Sequence, residues 1–508
     1  MIIDMKLRIN IGELFYQRAV RMPNREALVH GEERYTFMDL NRRTNQFARA
    51  LKEMAVRKGD RVAVLLPNGH EVCECLYGTA KIGAVMVPLN FRLAPRELEY
   101  MIKDSGAKIL IFDERFLSLV DGFRDNVKMR AFISTGENCP EYAEDYEDLI
   151  RPYRTDEPSI DSGDDDNFII MYTSGTTGKP KGAVLTHENL FSAASNCVYA
   201  LDVRGSESIL ILLPLFHIGA LTPYVTATLK GMRTVLVKSL EMSEVLETIG
   251  KERPSTIVAV TSIVNMMLQV PEIKKYDFSS LVSIILLGSP LPFSVVKACH
   301  EDLGIKLQNF YGLTEATGPG AYMNPEDMLD KPGSVGHPFL FCEARIVEEN
   351  DQDLPTGEVG ELILRGPSIM KAYWNLPEET KSTLKNGWLH TGDLARFDEE
   401  GFIYIADRKK DMIISGGENI YPAEIESLLT SHPRIKDAAV VAMPHEKWGE
   451  VPRAVIEPVP RAILSEEEVI RFCEGKIGKH KIPKKVDFVE QLPRTPTGKV
   501  LKRELIEV

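Results

Sequence analysis

Between residues 61 and 112, and again between 234 and 309, short apolar runs alternate with stretches of helical periodicity. Arg61–Leu66 precedes a helical stretch over 71–82, Val85–Leu89 precedes one over 95–104, and Ala107–Phe112 closes the first series. The second series runs through Thr234–Val237, a helix over 244–251, Thr256–Val260, a helix over 262–269, Ile284–Leu287, a helix over 293–302 and Ile305–Asn309. Parallel strands need a crossover about as long as a helix, whereas antiparallel strands need only a tight turn. The spacing therefore predicts an α/β chain with two doubly wound parallel sheets, helices on both faces. Ligands of such sheets sit beyond the carboxyl ends of the strands, and Gly288 and Gly312 stand at two such ends.

The texture changes from about Gly333. Short apolar runs punctuated by turns, over 357–366 and 388–405, predict a small antiparallel sheet or β-barrel. It changes again after the charged residues 407–411, which read as a linker. Beyond them helical and strand patterns mix, with Ser465–Glu468 as a capping box opening a helix toward Ile477. A chain of 508 residues exceeds one hydrophobic core. The expected division is a large domain over 1–408 and a small α+β domain over 409–508.

A net charge of -13 opposes a nucleic-acid partner, which would require a basic surface. The start, Met1 to Lys6, lacks the basic-then-apolar layout of a secretory signal. The longest uncharged stretch, 209–229, carries His217 and two prolines and reads as strand, turn and helix, with no transmembrane segment. The seven cysteines are scattered without a Cys-x-x-Cys pair, which fits reduced thiols in a cytoplasmic protein.

Residues 171–182 read Met-Tyr-Thr-Ser-Gly-Thr-Thr-Gly-Lys-Pro-Lys-Gly directly after the apolar run 168–170. Glycines admit backbone N–H groups close to an oxyanion, hydroxyls donate further bonds, and lysines add charge. These are the parts that hold a polyphosphate. The spacing is not that of a Walker A loop, since Gly175 and Gly178 are too close and Pro180 follows Lys179. Alone, such a run is most simply a surface loop, and the motifs downstream outweigh that reading.

Tyr311-Gly-Leu-Thr-Glu315, Gly387-Trp-Leu-His-Thr-Gly-Asp393, the stretch from Asp407 to Ile420, and Pro493-Arg-Thr-Pro-Thr-Gly-Lys499 follow in order. With the 172–182 loop, the chain resembles an acyl-CoA synthetase of the superfamily that also holds luciferases and peptide-synthetase adenylation domains. The resemblance implies a large N-terminal domain, with two doubly wound subdomains and a barrel, and a small mobile C-terminal lid. It also implies ATP, Mg²⁺ and coenzyme A.

Carried onto this sequence, the resemblance places Thr173, Ser174, Gly175, Thr176, Thr177, Gly178 and Lys181 over the β- and γ-phosphates. Thr314 donates to phosphate and Glu315 helps hold Mg²⁺. Tyr311, with Gly312 beside it, lies against the adenine, and Gly288, Ser289 and Pro290 line its other side. Asp393 accepts from the ribose hydroxyls with Arg408 close by. Lys499 bridges the acid and the α-phosphate, Lys410 is the hinge, and Gly416 and Gly417 line a pantetheine tunnel. His217 is placed beside the acyl carboxylate, with a hydrogen-bonded core histidine as its rival. Lys476, Lys479, Lys481, Lys484 and Lys485 either attract the CoA phosphates or form a solvated basic face.

The acid is read from pocket candidates at 217–222, 262–266, 288 and 316–321, which are mostly small and apolar. A medium- or long-chain fatty acid is the first expectation and an aromatic or alicyclic carboxylate the next. A stand-alone adenylation domain for an amino or aryl acid, a luciferase-like oxygenase and a non-catalytic nucleotide sensor stay open, as does a homodimer.

Overall fold

The computed structural model describes residues 9–160, 162–173, 179–201, 207–288, 291–409, 411–415, 418–445, 448–474, 476–479, 481–494 and 500–506. Two compact units emerge. One comprises Met1–Pro332, Gly336–Glu343 and Leu364–Leu389, the other Gly333–Val335, Ala344–Ile363 and His390–Val508.

The first unit contains two mainly parallel sheets, as the alternating pattern predicts. In one, Asn167–Thr173, Val85–Pro88, Arg61–Leu65, Ile109–Asp113, Ala131–Thr135 and Glu144–Asp145 lie side by side and parallel. Lys181–Thr186 and Ala372–Tyr373 extend it antiparallel at the Asn167–Thr173 edge. Residues with both faces covered should be continuously apolar, and Ile109 to Phe112 are fully buried. Val85, Val87, Leu110, Phe112 and Ile170 share one core cluster. Full burial of each such side chain stabilises by about 1.5–3 kcal/mol.

The second sheet orders Leu307–Leu313, Ser283–Leu287, Thr256–Ala259, Ser208–Ile211, Arg233–Leu236 and Glu26–His30, all parallel. The strand Glu26–His30, near the amino end of the chain, pairs with a strand some two hundred residues later, Leu28 opposite Thr234. Antiparallel strands flank the parallel set, Glu33–Thr36 at one side and Gly318–Met323 at the other, where Ala321 and Tyr322 pair on with Pro338 and His337. The uncharged 209–229 stretch resolves into the strand Ser208–Ile211 and the helix Ile218–Lys230. Among the described residues no helix is long and apolar enough to cross a membrane.

Gly312 needs a correction. It does not end its strand: Leu307–Leu313 continues past it, and Gly312 pairs with Pro319 in the hairpin to Gly318–Met323. A Cβ at 312 would lie 1.7 Å from the Gly318 carbonyl oxygen, so the two backbones approach only because the side chain is absent. Gly288 does follow its strand, Ser283–Leu287, with φ at +80°.

Gly360–Arg365, Trp388–Phe397 and Ile403–Arg408, which lie mostly in the second unit, are consecutive neighbours, the last two antiparallel. Asp407 and Arg408, read as linker, are the last residues of Ile403–Arg408. Beyond them Ile435–His445 and Gly449–Pro458 pair antiparallel, with Lys485–Phe488 parallel to the latter. The helices Pro422–Thr430 and Glu466–Cys473 contribute to a shared apolar core with Ile413, Val440 and Ile456. The Ser465 hydroxyl accepts from Glu468 N at 3.2 Å, the serine half of a capping box. The helix it opens stops at Cys473, short of Ile477.

Candidate active site

In the first unit the phosphate-loop motif is the connection of an antiparallel hairpin. Thr173 ends one strand opposite Lys181, which opens the next, and the Thr173 hydroxyl donates to the Lys181 carbonyl at 3.4 Å. Ser174 to Gly178 lie outside the described residues. The two lysines after them rest on aromatic faces, Lys179 Nζ 5.7 Å from the Tyr100 ring centroid and Lys181 Nζ 5.4 Å from that of Tyr373. At the root of the hairpin the Tyr172 hydroxyl donates to Asp104 Oδ2 at 2.6 Å.

The Tyr311–Glu315 motif leaves the second sheet at its carboxyl end. Tyr311 is half-buried and pairs with Ala321. Thr314 and Glu315 then lie in the single 3-10 turn Thr314–Ala316, with Ala316 fully buried. Thr317, at φ +58°, holds the left-handed conformation that non-glycine residues seldom adopt. Two bonds support it. Its hydroxyl donates to the Ser368 carbonyl at 2.5 Å, and its own carbonyl accepts from the Thr222 hydroxyl at 2.9 Å.

Glu315 is held from the strand Ala372–Tyr373. Met370 N donates to the Glu315 carbonyl at 2.8 Å, and the Tyr373 hydroxyl donates to Glu315 Oε1 at 2.7 Å. Oε2 has no protein donor among the described residues. A half-buried carboxylate with a free oxygen is a hard ligand of the type Mg²⁺ prefers, so the residues present fit that ion.

His217 sits just before the helix Ile218–Lys230, with its ring tilted against Phe216 at 4.4 Å. Its Nε2 is buried and has no hydrogen-bond partner among the described residues. Burial, with the Arg92 charge nearby, pulls the imidazole pKa down to about 4, so the ring is neutral near pH 7. The next residue but one, Gly219, backs onto the second sheet, where a Cβ would meet Leu287 Cδ1 at 2.6 Å. Past Leu287 the space opens: a Cβ on Gly288 would find nothing within 4 Å. Ser289 and Pro290 lie outside the described residues.

In the second unit Asp393 and Arg408 face each other across the Trp388–Phe397 and Ile403–Arg408 pair, Nε to Oδ1 at 2.6 Å. Asp393 is 4% exposed. Lys410, Gly416, Gly417 and Lys499 lie outside the described residues. Of the lysine cluster, Lys481 bonds Glu424 Oε2 at 2.6 Å, Lys485 lies 3.4 Å from Asp487, and Lys476 sits on the Phe472 ring. Those three are engaged locally, which weakens the case for a phosphate patch.

Motif reading missed Tyr373 and Ser368, and took Thr317 only as part of the 316–321 pocket candidate. Neither Tyr373 nor Ser368 falls in a Gly-rich or charged pattern, and each meets this turn through one long-range hydrogen bond. The left-handed Thr317 followed by Gly318 carried the only local hint, a turn signal.

A family model described as AMP-binding enzyme matches residues 15–374, and one described as AMP-binding enzyme C-terminal domain matches residues 424–499. The chain belongs to this family of adenylate-forming enzymes, and its class is that of the AMP-forming acid–thiol ligases. The long-chain-fatty-acid–CoA ligase FadD13 of Mycobacterium tuberculosis is 39% identical over 500 residues, covering 98% of each chain. Feruloyl-CoA synthase of Amycolatopsis sp is 36% identical, over 97% of this chain and 98% of that one. The solved o-succinylbenzoate coenzyme A synthetase (MenE) of Bacillus subtilis, in complex with ATP and magnesium ion, is 33% identical with a TM-score of 0.86. That match covers 97% of this chain and 98% of the other.

Proposed function

We propose that this chain activates a hydrophobic carboxylic acid with ATP and passes the acyl group to coenzyme A. A medium- or long-chain fatty acid is the first choice of substrate and an aromatic or alicyclic acid the second. The observation that carries the reading is the Glu315 carboxylate, held by Tyr373, whose ring also seats Lys181 of the phosphate loop. An anion-binding loop and a metal-type carboxylate share one anchoring side chain.

In the first step an oxygen of the acid bonds to the α-phosphorus of ATP, and the bond to the β-bridging oxygen breaks, releasing pyrophosphate. Both reactants are anionic, so the chain's task is to supply donors and cations where charge gathers. Lys181 and the Thr173 to Gly178 loop take the terminal phosphates, Thr314 donates to phosphate, and Tyr311 flanks the adenine. Glu315 would help hold Mg²⁺, whose charge would offset that of the triphosphate. Asp393 takes the ribose hydroxyls, and Lys499 bridges the acid and the α-phosphate. The neutral His217 offers its ring to the acid. In the second step the CoA sulfur bonds to the acyl carbon, the bond to AMP breaks, and the thiol proton leaves to solvent. A lid over 409–508, swinging about Lys410, separates the two steps.

Small and apolar surroundings at Gly219, Leu287 and Gly288 support a hydrophobic acid. A panel of acids from acetate to palmitate, with benzoates and cinnamates, scored for ATP- and CoA-dependent AMP release, tests the proposal. The expected result is a peak among the medium to long fatty acids. A peak among the aromatic acids selects the second choice, and no CoA-dependent release with any acid overturns the reading.

A further inference from the structure

Tyr373 makes contacts that no nucleotide-binding motif assigns to it. It is 9% exposed and sits in the two-residue strand Ala372–Tyr373, opposite Ala183 of Lys181–Thr186. Lys181, two positions before Ala183 on the same face, is therefore a diagonal neighbour, which the 5.4 Å cation–π distance reflects. From the other direction the hydroxyl reaches Glu315, 58 positions away in sequence.

The backbone around Tyr373 is fixed on both sides. Lys371 N donates to the Val184 carbonyl at 2.9 Å and Trp374 N to the Gly182 carbonyl at 2.7 Å. The Trp374 indole donates to the Asp104 carbonyl at 3.0 Å. Upstream, Asn189 Nδ2 holds the carbonyls of Pro367 and Ile369 at 2.8 and 2.9 Å. A side chain so anchored selects one rotamer of whatever it bonds.

We infer that Tyr373 is a positioning residue that sets the distance between the metal-type carboxylate of Glu315 and the phosphate-type cation of Lys181. The inference rests on the proposed roles of those two residues. A glutamate has three rotatable bonds, and its free oxygen meets a cation productively in few of its rotamers. The phenol hydroxyl removes that freedom by a charge-assisted bond to Oε1, leaving Oε2 aimed and available. Because the same ring carries Lys181, displacing Tyr373 disturbs both charges together.

The test is equilibrium binding of ATP without any acid, so that no turnover occurs, titrated with Mg²⁺ or Mn²⁺. In Y373F the ring stays and the hydroxyl goes. Metal-free ATP affinity should then be unchanged, while the metal concentration for half-maximal enhancement rises roughly tenfold, as expected for losing a bond to a charged group. The melting temperature should stay within about 3 °C of wild type. In Y373L the ring is lost too, and metal-free ATP affinity should fall a further three- to fivefold or so with AMP affinity spared. An unchanged metal curve in Y373F overturns the inference, as does an equal loss of metal-free and metal-dependent binding. E315Q separates the two levels of argument. If E315Q keeps the metal enhancement, the assignment of Glu315 itself fails. If E315Q abolishes it while Y373F matches wild type, only the role of Tyr373 falls.

Discussion

The Glu315 turn and the His217 turn both lie in the first unit, yet they are built on opposite plans. At Glu315 the bonds come from elsewhere in the chain: Tyr373 on Oε1, Met370 on the carbonyl and Ser368 on the neighbouring Thr317, with only Oε2 of the carboxylate lacking a protein donor among the described residues. At His217 a ring nitrogen is buried with no partner among the described residues, and the surroundings are apolar side chains and glycine. A buried polar atom without a partner costs about 1–3 kcal/mol, so it persists where a ligand relieves the cost. Under the proposed function the contrast is a division of labour: the group common to every acid is anchored from distant parts of the chain, and the acid is admitted by leaving space.

Glycine substitutions test that contrast most forcefully. Alanine at Gly312 drives a Cβ to 1.7 Å from the Gly318 carbonyl oxygen, which belongs to backbone that cannot yield. The expected cost is about 4 kcal/mol or more, seen as lost soluble protein or a large fall in melting temperature. Alanine at Gly288 meets open space and only the strain of φ +80°, so about 1 kcal/mol is expected. Equal losses at the two positions would erase the distinction between a packed turn and an open one. Next, Glu315→Gln should cut adenylation by about a hundredfold or more with the fold intact, measured as acid-dependent pyrophosphate exchange. Retention of most of the exchange would remove the carboxylate from the machinery.

The histidine side of the comparison has a signature in pH. The folded pKa of His217 is near 4, against about 6.5 for an exposed histidine, so between these values the unfolded chain binds more protons. Stability from this group is therefore full above pH 6.5 and drains away as pH falls toward 4, by on the order of 3 kcal/mol. His187, buried and likewise pulled down to about 4, adds a second such drop. Replacing His217 with Asn should leave only the His187 share, and thermal melts across pH 4–7 should show the shallower limb. An unchanged limb would mean that His217 is solvated in solution. The smallest effect is expected at Gly219, where alanine pushes the flexible end of Leu287 and should shift preference toward shorter acids by a few-fold in kcat/KM.

Much of this was legible in the residues because periodicity is local. Most parallel strands of both sheets appear where apolar runs alternate with helical ones, but Ala131–Thr135 and Glu144–Asp145, beyond the end of the first series, went unread. Other features depend on chain returns that leave no periodic trace. The strand Glu26–His30 finds its neighbour at Arg233–Leu236, and no pattern near residue 26 points there. Gly312 reads as a strand end because glycine usually weakens strands, whereas here it admits a second backbone. Tyr373 was invisible for the same reason. Its partner is 58 positions away, joined by a single hydrogen bond that carries no compositional signature.

Under the proposed function, the perches of Lys179 and Lys181 on Tyr100 and Tyr373 would bear on how quickly a triphosphate is captured. Had these ammonium groups been neutralised by carboxylates, an arriving anion would first have to evict a competitor of its own sign. Resting on π faces, attractions of about 0.5–1 kcal/mol at exposed sites, they can be drawn away at small cost. On that proposal the two lysines stand ready, each seated on a ring that carries no net charge of its own.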